Sequence, residues 1–352
     1  MSKTTFLHKI DDFLVQIYSY LNYVIFVVSI IGIILNVFHF LVLFRKSMRQ
    51  LTINIFMIGI AICDFSQMIS FVVVMTSQFY INYKTTQISP ECYPPQSYIE
   101  YKINHIFTFI SNVSPKLAVW LGVSLAILRA SVIRHPTNSS IQNYIYSKHG
   151  IRILLTICLP YACYFIYDYT AHSTTISETW ELPPECANTS EPDTYTLYYT
   201  EYDESSFRIS LFIDGILFKL IPSILLPLFT IVLLYEMKKT RKVATSRSFQ
   251  NSNSKDRSTK LVTFVTITFL LSTVPLGILY IIKSIFLQSL VISNFANKLQ
   301  SIFVLISIIN GTLHFLICFF MSSQYRNTVK NAVGWKFKSV ARASELQKER
   351  NI

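Results

Sequence analysis

Charge is what this chain has least of. Asp, Glu, Lys and Arg make up 14% of its 352 residues, against roughly 25% in an average soluble domain. With 51% hydrophobic residues, 27 Phe and 21 Tyr, that deficit excludes an ordinary water-soluble protein and places the chain in the membrane class. Acids are the scarcer sign, 19 against 31 Lys and Arg. The resulting net charge of +12 would suit a nucleic-acid binder. The bases, however, sit in short segments between apolar runs, as the positive-inside rule expects, so nucleic acid is excluded as a partner.

Other absences narrow the class further. There is no HExxH and no serine elbow, which argues against an intramembrane hydrolase; the reading is not an enzyme, with no cofactor and no metal ligand. No period of roughly 20–50 residues repeats, which argues against a solenoid. The two halves show no inverted repeat, which counts against a transporter. Lys9, Asp11 and Asp12 precede an apolar run that is too long for an h-region, so no cleaved signal is expected.

What is present is a series of seven apolar stretches: Tyr20–Phe44, Ile53–Ser77, Ile103–Ile133, Ile151–Ala171, Phe207–Glu236, Lys260–Leu287 and Lys298–Met321. Each is near or above the ~20 residues needed to cross a bilayer. The expected fold is all-α, a seven-transmembrane helix bundle over residues 20–321. Residues 1–19 form an N-terminal segment, 322–338 a short amphipathic helix and 339–352 a disordered tail. Arg45, Lys46 and Arg49, then Arg134, Lys148 and Arg152, then Lys238 to Arg257, then Arg326 to Lys338 fall on alternate links. Those links therefore face the cytoplasm, and the N-terminus lies outside a plasma membrane that the chain crosses several times.

Polar residues inside the spans are the candidates for function, because a charge at mid-bilayer costs about 2.5–3.5 kcal/mol on insertion scales. Asn36 lies nine residues above Arg45, and Asp64 lies 12 above Thr52, which puts both at comparable depth and predicts a hydrogen bond between them. Lys116 either snorkels outward or lines a cavity. Arg129 closes WLGVSLAILRASVIRHP; read alone it marks a membrane boundary, but the other buried polar groups turn the reading toward function. Pro222 and Pro227 in the fifth span and Pro275 in the sixth predict kinks, with Thr273 in reach of a freed carbonyl. Tyr235, about 12 Å beyond Pro227 along a helix, is placed near Arg129. Asn310 and His314 share a face of the seventh span.

Cys92 and Cys186 fall in the first and second outer links, whereas Cys63, Cys158, Cys163 and Cys318 lie within spans. The outer two are therefore expected to pair. The second outer link carries no Lys or Arg between His172 and Ser206, but holds Glu178, Glu181, Glu185, Glu191, Asp193, Glu201, Asp203 and Glu204. These are either a solvated surface or a funnel for a cationic ligand. Asn188-Thr189-Ser190 is a glycosylation sequon on the outer side, while Asn138-Ser139-Ser140 faces inward.

Together Asn36, Asp64, Arg129, Pro227 with Tyr235, and Phe269 with Pro275 resemble a rhodopsin-like G-protein-coupled receptor. More closely, NVFHFLVLFRKSMRQ, NIFMIGIAICD, LVTFVTITFLLSTVPLGILY and INGTLHFLICFFMSSQYR resemble the nematode Srw chemoreceptors, themselves similar to FMRFamide-type peptide receptors. The resemblance implies a polar hub at Asn36 and Asp64, Arg129 and Tyr235 facing a heterotrimeric G protein, and Cys92–Cys186 as the outer disulfide. It implies an extracellular peptide or small-molecule ligand and a bilayer as partners. The chain departs from the rhodopsin-like pattern at several places. Leu128 and Ala130 flank Arg129 in place of an acid and a tyrosine, Thr273 stands where a tryptophan is expected, and His314 and Cys318 replace an Asn and a Tyr. The fourth span lacks its tryptophan. The runner-up is a polytopic transporter or channel that uses Asp64, Lys116 and His314 as a relay.

Overall fold

The computed structural model describes residues 3–135, 138, 147–171, 174–186, 194–201, 203–245, 252–321 and 324–331. Seven helical spans are long and apolar enough to cross a membrane. They are formed by α1 (Lys3–Leu43), α2 (Thr52–Gln87), α3 (Tyr98–Arg134), α4 (Ser147–Ala171), α5 (Glu204–Gly215) running on into α6 (Ile221–Thr245), α7 (Ser252–Ile285) and α8 (Leu290–Met321). A further short helix, α9, covers residues 324–331. Asn188, Glu191, Asp193 and the residues beyond 331 lie outside the described residues.

Several helices outrun their apolar windows, because hydropathy detects the bilayer crossing whereas caps set the ends. The second continues from Ser77 to Gln87. The third starts at Tyr98, where Ser97 and Glu100 form a capping box: Glu100 N donates to Ser97 Oγ at 3.3 Å and Ser97 N to Glu100 Oε2 at 3.0 Å.

The fifth span changes winding where its prolines come. A π-helical turn, Ile216–Leu220, joins α5 to α6 just ahead of Pro222, and Pro227 lies inside α6. A wider turn accommodates the backbone bond that proline removes. In α7 the hydroxyl that bonds a carbonyl near Pro275 is that of Ser272, which donates to Phe269 O at 2.9 Å. Thr273 does not take that part; its hydroxyl lies 3.4 Å from Ser272 Oγ. The fifth and sixth spans touch backbone to backbone. A Cβ at Gly215 would meet Gly277 O at 2.9 Å, and one at Gly277 would meet Gly215 O at 3.1 Å.

Three apolar clusters hold the bundle. Phe56, Ile60 and Cys63 pack on Leu121; Ile25 and Met68 pack on Ile308; Val42, Leu43 and Met48 pack on Cys318 and Tyr325. The outward faces carry residues such as Leu159, Ile224 and Ile231, exposed as a lipid-facing surface requires.

One end of the bundle carries an antiparallel hairpin, β1 (Thr174–Glu181) with β2 (Thr194–Glu201), in a register from Thr174↔Glu201 to Glu181↔Thr194. Cys92 and Cys186 each close a Pro-Glu-Cys 3-10 turn and are joined by a disulfide. The hairpin also rests on the first turns of α3. The Tyr101 hydroxyl bonds Thr200 Oγ1, and the Tyr98 and Tyr198 rings meet edge-on at 5.1 Å. Arg129 marks the opposite end.

Candidate functional site

Among the described residues of the bundle, two of its cavities share no lining residue. The one at the hairpin end has a volume of about 240 Å³, and the one at the arginine end about 380 Å³.

The hairpin-end cavity is built around Lys116. This lysine follows Pro115 inside α3 and is 6% exposed, so it lines a cavity instead of snorkelling. Its Nζ donates to both carboxylate oxygens of Asp214 at 2.6 Å. The Phe165 and Phe218 rings flank the same ammonium at 5.5 Å each. Two oxygens and two ring faces hold the nearly buried charge, which suits an ion pair taken largely out of water. The rim holds two more charges. Asp168 accepts from Ser210 Oγ at 3.2 Å, and Lys283 donates to Asn297 Oδ1 at 2.7 Å and to Gln300 Oε1 at 3.3 Å.

Among the described residues, none of the hairpin-link acids lines this cavity. Glu178 accepts from the Tyr199 hydroxyl at 2.5 Å. Asp203 caps α5 by accepting from Ser206 N at 2.8 Å. Glu204 pairs with Arg208 at 2.7 Å and accepts from Gln288 at 3.1 Å. Glu181 and Glu185 are exposed at the hairpin end, and Glu201 ends β2. The acids that do line the cavity are Asp168 and Asp214. The signal for the second was available: an acid amid the apolar fifth span needs a buried partner, and Lys116 is the cation at its depth.

The arginine-end cavity collects Asp64, Arg129, Phe269, Asn310 and His314. His314 Nδ1 and Asp64 Oδ2 are 2.7 Å apart. Gly311 makes room for this contact, since a Cβ there would lie 3.1 Å from the Asp64 Cγ. One turn away, Thr268 donates to Asn310 Oδ1 at 2.9 Å and ties the sixth span to the seventh. The predicted Asn36–Asp64 bond is absent. Asn36 Nδ2 turns back to Gly32 O at 3.0 Å and to Met68 Sδ at 3.4 Å, and its Oδ1 has no partner. The reason is that His314 approaches the carboxylate from the seventh span.

Arg129 faces this cavity with only the Met57 sulfur, at 3.8 Å, as a hydrogen-bond partner among the described residues. Tyr235 does not join it: at 66% exposed, it points away from the cavity. Pro227 and Pro275 shape their helices without lining it. Lys116 stands in one cavity and Asp64 with His314 in the other, so the three do not form one relay.

Sequence reasoning also missed Tyr325. It does not lie along the membrane surface: it is 0% exposed, and its hydroxyl is 2.9 Å from Nδ1 of the buried His39. Burial pushes the Tyr325 phenol up, which keeps it protonated and able to hydrogen-bond. Gln324 Nε2 adds a bond to Ser47 O at 2.9 Å. These contacts pin α9 against the first link.

The sequence profile described as "Serpentine type 7TM GPCR chemoreceptor Srw" matches residues 23–336. The G-protein coupled receptor dmsr-1 of Caenorhabditis elegans is 23% identical over 385 aligned residues, which cover 92% of this chain and 72% of that receptor. The seven spans of the bundle agree with that description. The chain belongs to the Srw family of seven-transmembrane G-protein-coupled receptors.

Proposed function

We propose that the hairpin end faces outside the cell, that the ligand is a peptide anchored in the cavity beside Lys116 and Asp214, and that a heterotrimeric G protein docks at the Arg129 end. The observation that carries this reading is the pair of separate cavities, each with buried charge, at opposite ends of one bundle. A cavity of about 240 Å³ takes one or two side chains of a peptide, and the rest lies against the hairpin. Exposed Glu181 and Glu185 favour the approach of a cationic ligand. The disulfide supports the orientation, because such bonds persist in oxidising compartments. So do the basic clusters on the Arg129 side, because the positive-inside rule favours a cytoplasmic face there.

In this account the ligand favours one of two bundle states through its differential affinity. The Asp64–His314 and Thr268–Asn310 contacts are the joints that rearrange, and Arg129, paired with no acid among the described residues, meets the G protein. The test is a panel of basic and neutral peptides, amidated and free-acid, applied to cells with a G-protein dissociation sensor. At least one peptide triggers dissociation through the wild-type chain, and Arg129→Ala abolishes it at unchanged surface level. A response that survives Arg129→Ala overturns the assignment of that end.

A further inference from the structure

The arginine-end cavity holds more positive charge than its acids can match. Among the described residues its only carboxylate is Asp64, and that is engaged by His314 at 2.7 Å. Its lone cations are Arg129 and Lys219. Lys219 belongs to the π-helical turn, is 7% exposed, and has no acceptor within hydrogen-bonding distance of Nζ among the described residues. The charged groups that it senses are Lys116 and Asp214, and these already satisfy each other at 2.6 Å. Gln67 lines the same cavity, is 5% exposed, and its amide likewise has no hydrogen-bond partner among the described residues. Ser307 and Thr273 are close enough to line the same space.

This part of the cavity lies far from the arginine. Pro115, which lines it too, precedes Arg129 by 14 residues, about 21 Å along a helix. An ammonium and an amide donor thus face one cavity whose lining is largely apolar and whose carboxylate is already engaged. Water would satisfy Gln67 but leave the Lys219 charge uncompensated in a low dielectric, which is the costly arrangement. A cation would meet repulsion, because Asp64 is taken.

We propose that this cavity binds a small inorganic anion, chloride under cellular conditions, between the Lys219 ammonium and the Gln67 amide. The ion links the fifth span to the second and sits within one cavity with the Asp64–His314 pair, so its occupancy biases the same joints from the side opposite Arg129. The site asks for a compact monovalent anion, because one buried ammonium calls for a single countercharge.

The test uses the full chain purified in lipid-free detergent, which removes headgroup phosphates as an alternative source of negative charge. Apparent Tm is followed as sodium chloride replaces sodium gluconate at constant ionic strength, with bromide as a second series. Anything that binds only the folded state raises Tm in a concentration-dependent way. The wild-type Tm rises with chloride and levels off, bromide substitutes, and gluconate does not. Lys219→Met removes the rise, whereas Lys283→Met, in the other cavity, keeps it. A flat wild-type response, or the same rise in Lys219→Met, overturns the site. Where Lys219→Met cannot be recovered folded, chlorine NMR line broadening by the wild-type chain decides: competition by bromide supports the site, and broadening without competition overturns it. Neither readout involves a ligand or a G protein, so failure here is distinguishable from failure of the receptor orientation.

Discussion

Lys116 and Asp214 stand 98 residues apart in the chain and meet through both carboxylate oxygens at 2.6 Å. The pair joins the third span to the fifth inside the hairpin-end cavity. Removing one partner of a buried pair strands the other charge, at about 3–5 kcal/mol, whereas replacing both with apolar groups is often neutral. Lys116→Met and Asp214→Leu are therefore each strongly destabilising, and the double variant recovers most of the loss. Unfolding of the four purified proteins gives the coupling energy; additive losses would show that the two residues act independently.

Gly311 and Gly122 respond oppositely to the same substitution. A Cβ at Gly311 falls 3.1 Å from Asp64 Cγ, whereas one at Gly122 has nothing within 4 Å. Gly311→Ala pushes the seventh span off the carboxylate and costs about 1–3 kcal/mol, the usual range for overpacking. Gly122→Ala leaves stability unchanged or raises it by about 0.5–1 kcal/mol through reduced chain entropy. Thermal unfolding of the two variants side by side checks the contrast.

Tyr325 is the anchor of α9. Tyr325→Phe keeps the ring packed on Val42, Leu43 and Cys318 but leaves the His39 ring nitrogen without its partner. The expected loss is about 1–3 kcal/mol. Tyr325→Ala also opens a cavity and costs about 3–5 kcal/mol. Equal effects of the two variants in a denaturation series would mean that the hydroxyl contributes little beside the ring.

Cys92 and Cys186 close a separation of 94 residues. Losing a native disulfide costs about 2–5 kcal/mol in small secreted domains. Cys92→Ser, Cys186→Ser and the double variant are expected to lose the same stability as each other, because one bond is removed in each case. Unequal losses, followed by unfolding under non-reducing conditions, would show that one cysteine has a second role.

How far the sequence was legible depends on the kind of information each residue carries. Hydropathy located every span, and compartment logic paired Cys92 with Cys186, because both signals are local or binary. Depth was legible as well: counting residues placed Asn36 and Asp64 at similar heights. Height does not specify azimuth, and the Asp64 carboxylate turns to His314 on the seventh span while Asn36 bonds within its own helix. The same limit explains Tyr235, which is exposed and does not line the Arg129 cavity. Asp214 needed a different step, the matching of intramembrane charges of opposite sign. Tyr325 falls in the segment 322–338 expected as an amphipathic helix, and nothing in a periodic pattern distinguishes a ring lying on lipid from one inserted between helices.

The whole account turns on which compartment each end of the bundle faces, and the most direct measurement is antibody access to epitopes on intact and permeabilised cells. A tag placed before Met1 is stained on intact cells, and a tag placed after Ile352 only once the membrane is opened. The reverse pattern would put Arg129 outside the cell and contradict its assignment to the G protein.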